Sequence, residues 1–216
     1  MSLDAIGKLI IQMLLDSRTT LALFALTAVF ALPLGLLVAC GRMSRIWVIQ
    51  WLVRAYLLIM RGTPLILQLI FFYFMPSYIF GQSLPRFWAA VLAFSLNYAA
   101  YFAEIYRAGI EAVPVGQREA ASVLGFSRGQ TFGRIILPQV IKHILPPMGS
   151  EFMVLVKDTA LAQTIGVMEI FRLANTSVSS NASLIPIFVA GVFYLVMNAI
   201  VSKGFSIAEK KLDYYK

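Results

Sequence analysis

The sequence contains one cysteine, Cys40, and one histidine, His143. No intrachain disulfide is possible, and no cysteine cluster can hold a metal. The lone His143 reads as an interfacial residue rather than a ligand. Charge is scarce as well. Only 13% of the 216 residues are charged, against about 25% in an ordinary soluble domain. A phosphate-binding loop is missing: Gly7-Lys8 runs on to Leu9 and has no earlier glycine at the required spacing. The chain is therefore expected to bind no ATP itself and to carry no cofactor. No nucleophile, base and orienting residue form a set, which argues against an enzyme.

Hydrophobic residues make up 60% of the chain and lie in long runs. Such runs take a bilayer as solvent, and only helices or closed barrels satisfy their backbone there. They are too uniformly apolar for barrel strands, which alternate. Five spans are expected, at 19–40, 52–75, 87–109, 143–165 and 184–202. The first has no charged residue in 22 positions. At about 1.5 Å per residue it covers roughly 33 Å, enough for the hydrocarbon core. The fourth holds Glu151, Lys157 and Asp158. Residues 1–18 carry Asp4, a single lysine and no small-residue cleavage site, so they do not read as a signal peptide. Ile6, Leu9, Ile10, Met13 and Leu14 fall at helical spacing, which predicts a short amphipathic helix at the membrane surface.

Lysine and arginine set the orientation. One side carries 12: Arg42, Arg45 and Arg54 around the first loop, Arg107, Arg118, Arg128, Arg134 and Lys142 around the third, and Lys203, Lys210, Lys211 and Lys216 at the end. The other side carries four: Lys8, Arg18, Arg86 and Arg172. The richer side is expected to be cytoplasmic, with the N-terminus outside and the C-terminus inside. The net charge of +8 then needs no nucleic-acid partner.

The connection at 111–140 spans about 30 residues, long for an idle loop in a compact bundle. Pro114 suits a first helical turn, and 115–124 is helix-permissive, with Ala120, Ala121 and Leu124 on one side. Gly125 suits a left-handed cap. Ser127-Arg128-Gly129-Gln130 has capping-box form and starts a second helix. Pro138 disfavours helix at Leu137 and is expected to end it.

Glu119-Ala120-Ala121, three residues, Gly125, nine residues and Ile135-x-Leu137-Pro138 resembles the EAA signature of ABC importer permeases. Arg61-Gly62-Thr63-Pro64 resembles a segment of the polar amino-acid permeases. The run 103–110, Pro114-x-Gly116-Gln117, Lys157-Asp158-Thr159-x-Leu161, Ile165-Gly166 and Glu169 are similar to the same subfamily. Ala160 departs from it where relatives often carry serine. The resemblance implies a coupling helix seated in an ATPase cleft, with Gly116, Arg118, Glu119, Ala120, Ala121, Leu124 and Gly125 at that contact. It implies two ATPase subunits that hold ATP and Mg, a second permease copy or close relative, and an extracytoplasmic binding protein. The location implied is a bacterial cell membrane.

Intramembrane polar groups normally face a bundle interior. Arg54, Arg61 and Gln68 form one stripe, Asn97, Tyr101 and Glu104 a second, and Glu151 and Asp158 a third. Gly62-Thr63-Pro64 interrupts the second span, either as a structural kink or as a substrate site of the broken-helix kind. Arg61, Thr63, Asn97, Tyr101, Glu104, Glu151, Asp158 and Thr159 are the candidate substrate residues. Glu151 and Asp158 either hold the cation of a basic amino acid (arginine, histidine or lysine) or pair with Arg61 or Lys157. The reading is an all-α integral membrane protein of five spans, one domain over 1–216, acting as the permease of an ATP-driven polar amino-acid importer. The alternative is an ion-coupled secondary transporter with Glu104 or Asp158 as its proton site.

Overall fold

The computed structural model describes residues 3–212. Among these, every regular element is helical. The order is α1 (Leu3–Arg42), α2 (Trp47–Gly62), α3 (Leu65–Phe80), α4 (Arg86–Glu111), α5 (Val115–Val123), α6 (Arg128–Thr131), α7 (Leu137–Asp158), α8 (Ile170–Asn181) and α9 (Ile185–Leu212). A π-type turn at Phe132–Ile136 joins α6 to α7, and a 3-10 segment at Thr159–Ile165 follows α7.

Packing is ordered by polarity, as contact with lipid requires. The long apolar α1 and α9 expose Val29, Phe30, Leu36, Leu37, Phe188, Val192 and Leu195. In water such surfaces would be aggregation sites. By length and composition, α1 from Asp4 and α9 are able to cross a membrane, and the bent pair α2–α3 makes a third if taken as one span. The less apolar α4 is the hub. It buries Ala89, Phe94, Asn97, Tyr98, Phe102 and Ala103, among others. Small residues let α1 come close to it: a Cβ on Gly35 would stand 2.9 Å from the Phe102 Cβ. Close backbone approach of this kind drives helix association in lipid, where burial of apolar area gives no gain. An aromatic column then ties in α7 and α9. Phe102 stacks on Phe152 at 5.5 Å, and Phe152 meets Phe205 at 5.2 Å.

Several sequence expectations change. The separate surface helix at 1–18 is not found: α1 continues unbroken from Leu3 to Arg42. Leu9 and Met13 are buried in a cluster with Ile170, Leu173, Ala174 and Ala190. Their helical spacing marks tertiary packing. The second span is two helices that meet at 110°, so Pro64 makes a break rather than a kink. Pro138 does not end a helix. It sits in the first turn of α7, where its missing N–H is harmless. The π-type turn ahead of it widens the ladder, and the Leu137 N–H reaches back to the Phe132 carbonyl. Helix α8 went unforeseen. Its N-cap is the fully buried Glu169, which accepts from the Arg172 N–H at 2.6 Å, the Phe171 N–H at 2.7 Å and the Tyr194 hydroxyl at 2.9 Å.

Candidate functional site: a broken helix, a charged cavity and an outward-facing loop

Pro64 cannot donate to the Met60 carbonyl four residues before it. A buried amide pair takes its place. Asn97 Nδ2 donates to Met60 O at 2.9 Å, and Gln68 Nε2 donates to the same oxygen at 3.0 Å. Asn97 also donates to Gln68 Oε1 at 3.0 Å. Gln68 reaches Thr63 Oγ1 at 2.8 Å, while the Thr63 hydroxyl donates to Ile59 O at 2.8 Å. The carbonyls of Ile59 and Met60, freed at the break, thus find partners within the fold, as a low-dielectric site demands.

Past the break lie two adjoining open cavities of about 480 and 510 Å³. Both are lined by Arg61, Tyr101 and Glu104; the second adds Glu151, His143 and Pro147. The Arg61 guanidinium lies over the Tyr101 ring, 5.4 Å from its centroid. Glu104 is surrounded by three arginines. Arg107 grips Glu104 Oε2 with two bonds of 2.8 and 3.1 Å, while Arg61 and Arg42 approach to 3.8 Å. Arg107 also pairs with Glu111. Glu151 and Asp158 project from one face of α7, about 10 Å apart along the axis. Asp158 accepts from the Tyr98 hydroxyl at 2.8 Å. Among the described residues neither carboxylate has an ion pair within 4.0 Å.

The loop is held by local signals. Gly125 has φ +79°. Its N–H donates to Ser122 O, and the Phe126 N–H donates to Ala121 O, which together close a Schellman motif. The capping box at Ser127 is complete: Gln130 N–H to Ser127 Oγ at 3.3 Å, and Ser127 N–H to Gln130 Oε1 at 2.9 Å. Gln139 on α7 donates to Gln117 Oε1, and Arg118 reaches Ile110 O. These contacts seat α5 against the ends of α4 and α7. Its outer side shows Val115, Val123 and Leu124, the last two 88% and 75% exposed.

The family description "binding-protein-dependent transport system inner membrane component" matches residues 31–214. The chain belongs to this family. It is thus the membrane component of a transport system that depends on a binding protein. It is 39% identical over 199 residues to the L-cystine transport system permease protein TcyB of Bacillus subtilis, covering 91% of this chain and 84% of that one. It is 36% identical over 194 residues to the arginine transport system permease protein ArtQ of the same organism, covering 89% of each. A solved structure described as an amino acid ABC transporter with histidines is 36% identical, with TM-score 0.85, covering 96% of this chain and 95% of that one.

In this permease, four expected substrate residues, Arg61, Tyr101, Glu104 and Glu151, meet at one cavity. The others lie apart from it. Thr63 and Asn97 are engaged at the break. Asp158 sits with Tyr98, and Thr159 is buried with its hydroxyl on Val156 O. Neither pairing considered for the α7 carboxylates, with Arg61 or with Lys157, forms as an ion pair. In the loop, Gly116, Arg118, Glu119, Ala120, Leu124 and Gly125 are exposed. Ala121 is not: it is 1% exposed, so it belongs to the loop's own packing and not to an open side shared with Ala120. Arg42 and Arg107 are not among the substrate residues expected from the sequence. The i,i+3 spacing of Glu104 and Arg107 carries that pair in the sequence; nothing in the sequence brings Arg42 there.

Proposed function

We propose that this permease is the translocation subunit of an ATP-driven importer of amino acids, with preference for the cationic ones, arginine, lysine and histidine. The observation that carries the substrate class is Glu151. It lines the cavity beside Arg61 and Tyr101, yet the arginines nearby are drawn to Glu104. A carboxylate in low dielectric with no ion pair within 4.0 Å among the described residues favours a passing cation. Asp158, two turns further along the same face, offers a second station. Five spans follow from the hydrophobic runs, and the charge asymmetry sets the N-terminus outside and the C-terminus inside.

The work is divided among partners. ATP and Mg belong to two ATP-binding cassette subunits, and an extracytoplasmic binding protein delivers the amino acid. A second permease copy or close relative completes the pathway, because one bundle leaves its cavities open on one side. Closure of the ATPase pair would push on α5, whose seat on α4 and α7 leads to the cavity walls. The ion-coupled alternative, with Glu104 or Asp158 as its proton site, gives way to the family match, and Glu104 is engaged by three guanidiniums.

The test is uptake by the importer reconstituted with its ATPase and binding protein. Glu151→Gln is expected to reduce arginine, lysine or histidine uptake more than glutamine uptake. Equal loss for charged and neutral amino acids would assign Glu151 to structure instead.

A further inference from the structure

We infer that the buried amide pair Asn97–Gln68 is a positioning device that places Arg61 in the cavity, and that neither amide contacts the transported molecule. The inference rests on the transport reading above. It begins from one backbone oxygen. Met60 O is the acceptor that Pro64 orphans, and it receives both amide groups. Asn97 and Gln68 are only 4% and 6% exposed. Both Nδ2 protons of Asn97 are spent, one on Met60 O and one on Gln68 Oε1. No donor of Asn97 is left for a ligand.

The next residue in the chain is Arg61, and the same helix handles it. Asn97, Tyr101 and Glu104 lie at i, i+4 and i+7, so they share one face of α4. The first fixes the carbonyl of residue 60. The second lies under the guanidinium of residue 61, and the third draws it by charge. A second tie, Tyr56 hydroxyl to Leu96 O at 2.5 Å, holds α2 one turn earlier. One helix face therefore sets both the direction in which α2 ends and the place where its last charged side chain stands. Without the clamp, the freed carbonyl would seek water and the end of α2 would lose its angle. Arg61, 44% exposed at its side chain, rests on Tyr101 and Glu104.

Two readouts on the reconstituted complex test this. Hydrogen exchange reads the clamp itself, at the amides of Thr63, Leu67 and Gln68 that close the helix ends on Ile59 and Pro64. Arginine moved per ATP hydrolysed reads its consequence. Asn97→Leu is expected to speed exchange there about tenfold, leaving α9 unchanged, and to lower the coupling ratio by about the same factor. The exchanged pair Asn97→Gln with Gln68→Asn keeps both amides and their summed length. It is expected to recover both readouts, while each half alone does not. Where Asn97→Leu fails to assemble, the smaller Asn97→Ala removes the same donors and carries the same expectations. Wild-type exchange in Asn97→Leu or Asn97→Ala, or a paired exchange no better than its halves, overturns the inference. So does faster exchange with an unchanged coupling ratio. If the wild-type complex moves no amino acid, the transport reading fails, and exchange still judges the clamp.

Discussion

The break between α2 and α3 and the loop between α4 and α7 are both interrupted helices, and they are held in opposite ways. At the break, the partners come from other helices: Asn97 stands 37 residues from Met60 and Gln68 eight. At the loop, the caps that stop and start the helices close over three to five residues. The reason is solvent. Inside a bilayer a freed carbonyl finds no water, so the fold must bring a donor from another helix. At the membrane surface water covers the remainder, and local caps suffice. The contrast extends to function. The break turns its charges inward onto a cavity, whereas the loop turns Val123 and Leu124 outward toward whatever docks there.

The sharpest way to break this contrast is to remove the charge that organises the inner region. Glu104→Gln leaves Arg42, Arg61 and Arg107 converging on a neutral amide. Loss of one partner in a fully buried ion pair costs about 3–5 kcal/mol; these side chains keep some contact with water, so about 2–3 kcal/mol is expected. Arginine transport should fall about 100-fold while membrane insertion is retained. Wild-type transport by Glu104→Gln would reduce the cluster to surface electrostatics.

The loop predicts the reverse pattern, in which the chain itself is unharmed and only an interaction suffers. Leu124 is exposed, and its replacement by glutamate removes no internal contact. Leu124→Glu should leave the permease as stable as before and weaken copurification of the ATPase subunits about tenfold, by placing a charge at an apolar contact. Ala121→Glu separates the two kinds of effect. Because Ala121 is buried in its own loop, glutamate there should disrupt the loop before any partner is involved. Unchanged copurification for Leu124→Glu would place the docking surface elsewhere.

How much could be read from the sequence follows the same division. The cap at Gly125 and the box at Ser127 were legible, because both are local grammar. The stripe Asn97, Tyr101, Glu104 was legible as a polar face of one helix. What it faces was not: the sequence gives no sign that Asn97 meets a carbonyl on α2 while Glu104 meets Arg42 on α1. Pro64 and Pro138 looked alike as helix breakers, yet one bends the chain by 110° and the other begins a helix. The difference lies in what precedes each. Phe132–Ile136 widens into a π-type turn ahead of Pro138, whereas Thr63 is extended (ψ 148°) and cannot continue a helix. Leu9 and Met13 show the limit of periodicity, which marks a buried face without saying whether lipid or protein covers it.

The smallest expected effect tests whether the loop's turn is as local as it looks. Gly125 sits at φ +79°, and a Cβ built there meets nothing within 4 Å. A substitution therefore costs backbone strain alone. For a β-branched residue in the left-handed region that is about 1–2 kcal/mol; asparagine tolerates the region and should cost less. Gly125→Val is expected to open the Schellman turn, expose 122–127 to limited proteolysis and weaken ATPase copurification, with insertion intact. Gly125→Asn should behave close to wild type on all three measures. The ranking carries the argument. If asparagine and valine damage the loop equally, the glycine is required by something that approaches it closely, and the turn would be part of the docking surface rather than its support.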